Sequence, residues 1–312
     1  LKTVRQEVES RRCNVVATLA GQAQGRSLFF NAHFDTSTTG KEEGLPEGHK
    51  PHARIIDDWI YGLGVSNMKN AFAGYYGAIK MIQKAGVALR GDIIMGGVVG
   101  EIEKAPVDQY QGELYRGGGL GSQHMMKHGV SADFCICGEP TGLRLQPGNT
   151  GYIFCRIATA GIAQHTWSKQ NGVDAIEKMM VVVQRLRQWE REFEERHPHP
   201  FMKTRVGISA IQGGYPFKPS ICPAPYCNLY IDIRTLPNQS VRSVRQELQE
   251  ILTELARKDP QLKYSLDFYL VRNGYELPLD HELVKLVSQE HKALTGQKVI
   301  FPEPYRYAVS AD

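Results

Sequence analysis

Residues 27–36 read Ser-Leu-Phe-Phe-Asn-Ala-His-Phe-Asp-Thr: an apolar run that ends in a histidine, His33, followed two residues on by an aspartate, Asp35. A short apolar run closing in polar groups is the pattern of a buried strand that delivers side chains to its C-terminal end. The sequence downstream alternates. Between 67 and 85, Met68, Ala71, Phe72, Tyr75, Ile79 and Ile82 share one helical face, and Gly86 supplies the stop. Residues 92–99 read as a second buried strand, 122–128 as a short helix closed by Gly129, and 132–137 as a third strand. Strand, helix, strand in this order predicts an α/β domain on a mostly parallel sheet.

The pattern changes near Gly148. Strands are predicted over 152–159, 205–212 and 226–235, the last alternating as Leu229, Ile231 and Ile233. Helices are predicted over 173–188 and 241–257, the second with Ser240 as N-cap. Two helices and three or four strands at this spacing suggest an inserted α+β domain. A strand at 262–271, a helix at 280–294 and a strand at 298–301 then return to the α/β style. The division expected is therefore 1–150 with 259–312 for the α/β domain, and 151–258 for the insert.

Composition narrows the function. With 42% hydrophobic and 22% charged residues, the chain is too apolar to be disordered. Its net charge of +4 comes from 37 basic and 33 acidic residues that are dispersed, and the densest charged stretch, 185–196, mixes arginines with Glu190, Glu192, Glu194 and Glu195. That is a solvated helix face rather than a phosphate-binding stripe, so no nucleic-acid partner is expected. No apolar run is long enough to span a membrane, and no membrane partner is expected. Cys13, Cys135, Cys137, Cys155, Cys222 and Cys227 form no pair of Cys-x-x-Cys motifs. Thiols in a reducing compartment, the cytoplasm, are the expectation.

Four segments place polar groups at the ends of the predicted strands or at a helix start, where open α/β sheets keep their sites. His33-Phe34-Asp35 lets a histidine ligate a metal while the carboxylate orients its ring. Residues 62–69 are a glycine-rich turn opening a helix and carry Asn67. Gly100-Glu101-Ile102-Glu103 follows an apolar strand and offers a general base, and Cys137-Gly138-Glu139 ends another. Each alone reads equally as an incidental pair, a capped loop or a solvated glutamate.

Taken in order, these segments resemble the co-catalytic zinc amidohydrolases, the family of acetylornithine deacetylase, succinyl-diaminopimelate desuccinylase, aminoacylase and the glutamate-releasing carboxypeptidases. The likeness continues through Gly161-Ile162-Ala163-Gln164-His165, Ile211-Gln212-Gly213-Gly214 and the stretch Tyr230-Ile231-Asp232-Ile233-Arg234-Thr235-Leu236-Pro237, which resemble signatures of that family's lid. The resemblance implies a metal-dependent hydrolase of N-acyl amino acids or small peptides, with an α/β catalytic domain and an inserted lid that forms a homodimer. It implies zinc, or cobalt or manganese, as cofactor. It makes His33 and Glu139 metal ligands, Asp35 the residue orienting His33, and Glu101 the general base. His165 would stabilise the oxyanion across the dimer interface, and Arg234 would grip the free carboxylate of the substrate.

Three departures modify the expectation. The family's bridging ligand is an aspartate where this chain has Asn67, and a neutral amide offsets two dications poorly, so one ion rather than two is expected. The usual adjacent glutamates are split by Ile102; in an extended strand Glu103 would point the same way as Glu101 and serve as a ligand, whereas in a loop its direction is arbitrary. No residue matches the last histidine ligand, because His281 and His291 fall in a helical stretch and residues 309–312 resemble only the segment preceding it. The 312 residues are thus expected to be part of a longer chain. Asn67 and the split glutamates also favour a second reading, a catalytically impaired relative that acts as a carboxylate-ligand-binding or interaction protein. Gly117-Gly118-Gly119-Leu120-Gly121 reads as a loop near the active site.

Overall fold

The apolar run at 27–33 becomes the inner strand of a five-stranded sheet. The computed structural model describes residues 1–46 and 49–303, and the chain divides into two compact units, Leu1–Leu143 and a second beginning at Arg144. In the first unit, β1 (Lys2–Glu9) and β2 (Arg12–Leu19) precede β3 (Leu28–His33). A small separate hairpin, β4 (Arg54–Ile56) with β5 (Trp59–Tyr61), comes before α1 (Asn70–Lys84), β6 (Ile93–Val98), α2 (Leu120–Lys127) and β7 (Phe134–Cys137).

The strand order is β1-β2-β6-β3-β7, with β3 parallel to both β6 and β7, and β2 antiparallel to β1 and β6. The parallel strands are joined through helices, as parallel neighbours require. Both faces of β3 are covered. Phe29 packs with Val16, Val98 and Met125 of α2, while Phe30 and Ala32 meet Tyr75 of α1 and Met68 in the turn before it on the other face. That double burial is why the strand reads as an unbroken apolar run. The β1–β2 hairpin is not among the predicted elements: Lys2, Arg5, Glu7 and Glu9 load this sheet edge with charge, which discourages edge pairing and masks the strand pattern.

The second unit contains β8 (Gly148–Asn149), β9 (Gly151–Ala160), α3 (Ala175–Arg196), β10 (Arg205–Gly213), β11 (Tyr226–Thr235), α4 (Val241–Lys258), β12 (Lys263–Arg272), β13 (Tyr275–Glu276) and α5 (Glu282–Thr295). β9 to β12 form an antiparallel sheet in the order β10-β11-β9-β12, and β8 pairs with β13. One apolar cluster unites Ile153 and Ile157 of β9 and Leu229, Ile231 and Ile233 of β11 with Met179, Leu186, Trp189 and Phe193 of α3 and Leu248 and Leu252 of α4.

Helix starts follow the expected chemistry. Asp174 Oδ1 accepts from the Ile176 N–H at 2.8 Å, and Ser240 Oγ accepts from the Ser243 N–H at 3.0 Å. Helix α3 runs past residue 188 to Arg196 because Trp189 and Phe193 continue its buried stripe beneath the charged surface. The sheet also reaches past residue 258: β12 pairs with β9 instead of returning to the first architecture. Residues 298–301 form no strand. Among the described residues no helix is long and apolar enough to cross a membrane.

Candidate metal centre

Three parallel strands of the first unit lead into one point. His33 is the last residue of β3, Glu101 lies three residues beyond β6, and Glu139 lies two beyond β7. Neighbouring parallel strands end side by side, so residues far apart in sequence converge there. His33 Nε2 stands 3.5 Å from Glu101 Oε2 and 3.5 Å from Glu139 Oε1. One ligand atom from each of the three lies within 4.8 Å of the others, and all three side chains are buried.

The loop geometry decides which glutamate enters. Gly100 has a φ of +74°, so the chain leaves β6 in a sharp turn and not in extended form. Glu103 consequently does not follow Glu101 into the group; it is half-buried elsewhere on the loop, and the expectation that it serves as a ligand by strand alternation loses its basis. The glycine-rich segment braces this turn: Gly119 and Leu120 N–H donate to the Gly100 carbonyl, each at 3.0 Å, and Gly118 N–H to that of Ile102 at 2.9 Å.

Asp35 works differently from the expected pattern. The contact holding the His33 ring comes from the main-chain carbonyl of Asp35, 2.9 Å from Nδ1, while the nearest carboxylate oxygen stands 3.8 Å away. A carbonyl only accepts, so Nδ1 carries the proton and Nε2 points its other face to the glutamates. The Asp35 carboxylate instead accepts the N–H groups of Glu101 and Ile102, both at 3.2 Å. One residue thus ties the histidine and the Glu101 loop together.

The electrostatics fit a cation. Burial pushes His33 towards its neutral form, but the carboxylates of Glu139, Glu101 and Asp35 outweigh burial and raise its pKa to about 9. His33 Nε2 and Glu139 Oε2 are buried without a hydrogen-bond partner. An imidazole nitrogen and two carboxylates buried together need a cation between them, either a proton on Nε2 or a metal ion, and they are the donor set of a borderline or hard divalent ion. The residues present therefore fit a metal.

Asn67 lies in the turn Val65–Lys69, is exposed, and lines a cavity of about 250 Å³ with Thr36, Thr38, His49 and Ile102. In the second unit, His165 is exposed and its Nδ1 accepts from the Trp167 N–H at 3.4 Å, capping a short turn. Arg234 is half-buried on β11, where its Nε and one Nη donate to Asp232 Oδ2 at 3.0 and 2.8 Å, and its guanidinium lies 5.3 Å from the Tyr152 ring centroid. Asp232 was not singled out in the sequence; its spacing of two from Arg234 on a strand puts both on one face and is the available signal. His281 caps α5 and His291 lies within it. Residues 309–312 lie outside the described residues.

Comparison with known proteins agrees with this architecture. Residues 147–260 match the family model of the peptidase dimerisation domain. The chain is 26% identical to an N-formyl-4-amino-5-aminomethyl-2-methylpyrimidine deformylase of Halalkalibacterium halodurans, over 92% of this chain and 69% of that protein. It is 27% identical to the enzyme of the same name from Bacillus subtilis, over 80% of this chain and 58% of the other. It is also 27% identical to the acetylornithine deacetylase of Vibrio campbellii, over 89% of this chain and 68% of that one. Among solved structures, an M20 family metallo-carboxypeptidase from Sulfolobus solfataricus superposes with a TM-score of 0.69 at 15% identity, covering 97% of this chain and 77% of its own. The fold is the same.

Proposed function

We propose that the chain, which is similar to M20 amidohydrolases and metallopeptidases, hydrolyses the amide bond of an N-acyl amino acid or small peptide with a divalent ion as cofactor. The observation that carries this reading is the buried, unpartnered His33 Nε2 facing Glu101 and Glu139. His33 and Glu139 would hold the ion, zinc or alternatively cobalt or manganese, and the neutral Asn67 argues for one ion. A divalent ion supplies Lewis acidity to the amide carbonyl and acidifies water.

The chain's own residues perform the other tasks. Glu101 takes a proton from the attacking water and returns it to the leaving amine. Asp35 sets the tautomer of His33 and the position of the Glu101 loop. Arg234 pairs with the free carboxylate of the substrate, held in place by Asp232. His165, exposed on a segment that matches a dimerisation domain, donates to the developing oxyanion of a second copy's site in a homodimer. The spacing of the cysteines, with no pair of Cys-x-x-Cys motifs, is the basis for placing the protein in a reducing compartment, the cytoplasm.

Steady-state kinetics on a panel of N-acyl amino acids and dipeptides test the reading. Glu101→Gln should lower kcat by about 10² to 10⁴ while substrate binding persists. A larger loss with Glu103→Gln would transfer the base assignment to that residue. Asn67 favours the impaired-relative reading, and a zinc-loaded chain that binds acylated amino acids but turns none over would establish it.

A further inference from the structure

A second pair of metal-competent side chains sits on α2. His124 and His128, the latter at the helix C-cap, are four residues apart and so share one face, a turn apart. Their rings stack with centroids 3.8 Å apart and planes 18° from parallel, which brings the two side chains within reach of one ion once the His124 ring turns out of the stack so that both lone pairs converge. His128 Nδ1 lies 2.7 Å from the carbonyl oxygen of His124. Because that carbonyl only accepts, the proton sits on Nδ1 and Nε2 of His128 keeps its lone pair. Slight burial, then the charges of His128 and Lys127, move the His124 pKa below the ordinary imidazole value, which keeps that ring neutral as well. His128 is exposed, and the carbonyl end of a helix favours a cation.

We propose that His124 and His128 chelate a borderline divalent ion, copper(II) most tightly and nickel(II) or zinc(II) less so, at a surface site separate from the His33 centre. Two imidazoles at this spacing on a helix are the protein half of known zinc arrangements, and the ranking of ions follows the general affinity order for nitrogen donors. Water completes the coordination shell. The inference does not rest on the hydrolytic reading, yet it bears on it: an ion held here would be counted as a second metal at the centre.

Metal-free protein is titrated with copper(II) by calorimetry and followed by electron paramagnetic resonance. Wild type should show two classes of binding site. The double variant His124→Ala, His128→Ala should lose one class and keep both the other and any hydrolytic activity. In His33→Ala, the remaining copper signal should carry coupling to two imidazole nitrogens. The single variant His128→Gln, whose amide can still donate to the His124 carbonyl, should lose the same class with an unchanged melting temperature. Unaltered copper stoichiometry in the double variant and in His128→Gln, or a signal in His33→Ala without two-nitrogen coupling, overturns the proposal.

Discussion

The two units solve opposite problems. The second gathers its apolar side chains into one cluster between a sheet and two helices, and its chemically interesting groups, His165 and Arg234, stand outside that cluster. The first divides its core into two small clusters on either face of β3 and buries charge between them and the strand ends, at His33, Glu101 and Glu139. Burying an imidazole nitrogen against carboxylates costs folding free energy unless a proton or a metal cation joins them. The contrast suggests that the second unit is built for stability and lends surface groups to function, while the first spends stability on a site.

The largest test of that contrast is Phe193→Ala. The ring is 1% exposed in the centre of the second unit's cluster, so truncation should cost about 3–5 kcal/mol, measured by denaturant unfolding. A loss below about 1 kcal/mol would mean that the cluster is not the main source of that unit's stability.

Asp35→Asn comes next. It keeps the main-chain carbonyl that holds His33 but removes the charge from the acceptor of the Glu101 and Ile102 N–H groups. Groups that support metal ligands typically contribute 10–100-fold to affinity or activity. Here the loss should appear in kcat, by about that factor, with little change in metal affinity by titration. The reverse pattern would show that the carboxylate, and not the carbonyl, governs the ring.

Legibility followed the physics of each region. The apolar run ending in His33 was readable because both faces of β3 are buried, and α4 was readable because its apolar stripe and Ser240 cap agree. β1 was not, since an edge strand carrying Lys2, Arg5, Glu7 and Glu9 lacks the apolar alternation that marks a strand. The convergence of His33 with Glu101 and Glu139 could be suspected from strand ends, but the exclusion of Glu103 depends on the Gly100 turn. Likewise, no spacing rule tells a main-chain carbonyl from a carboxylate as the partner of His33.

A third effect is a slope with pH. The folded pKa of His33, about 9, lies above its ordinary value of 6.5. A raised pKa means that the protonated ring stabilises the metal-free chain fully below about pH 6.5, and that this contribution is lost as pH rises through about 9. Melting temperatures of chelator-treated protein should therefore fall across that window, and His33→Gln should flatten the curve. A bound divalent ion, which takes the place of the proton, should flatten it too. Identical slopes in wild type and His33→Gln would show that other groups dominate the titration.

The smallest effect on folding should come from His165→Ala, and there the contrast is sharpest. The side chain is exposed and its one described hydrogen bond, from the Trp167 N–H, is long at 3.4 Å. Surface changes of this kind usually stay within about 0.5 kcal/mol, so the melting curve should barely move. If the residue is an oxyanion donor, kcat should nevertheless fall by about 10² to 10³, because such a donor acts where charge develops in the transition state. A clear drop in melting temperature with unchanged kcat would assign His165 to capping its turn, and would remove the second unit's link to the chemistry. Mixing inactive Glu101→Gln protein with inactive His165→Ala protein then asks which copy uses the imidazole. If it serves the partner's site, heterodimers hold one site with both defects and one with neither, and activity returns. If it serves its own chain, every site keeps one defect and the mixture stays inactive.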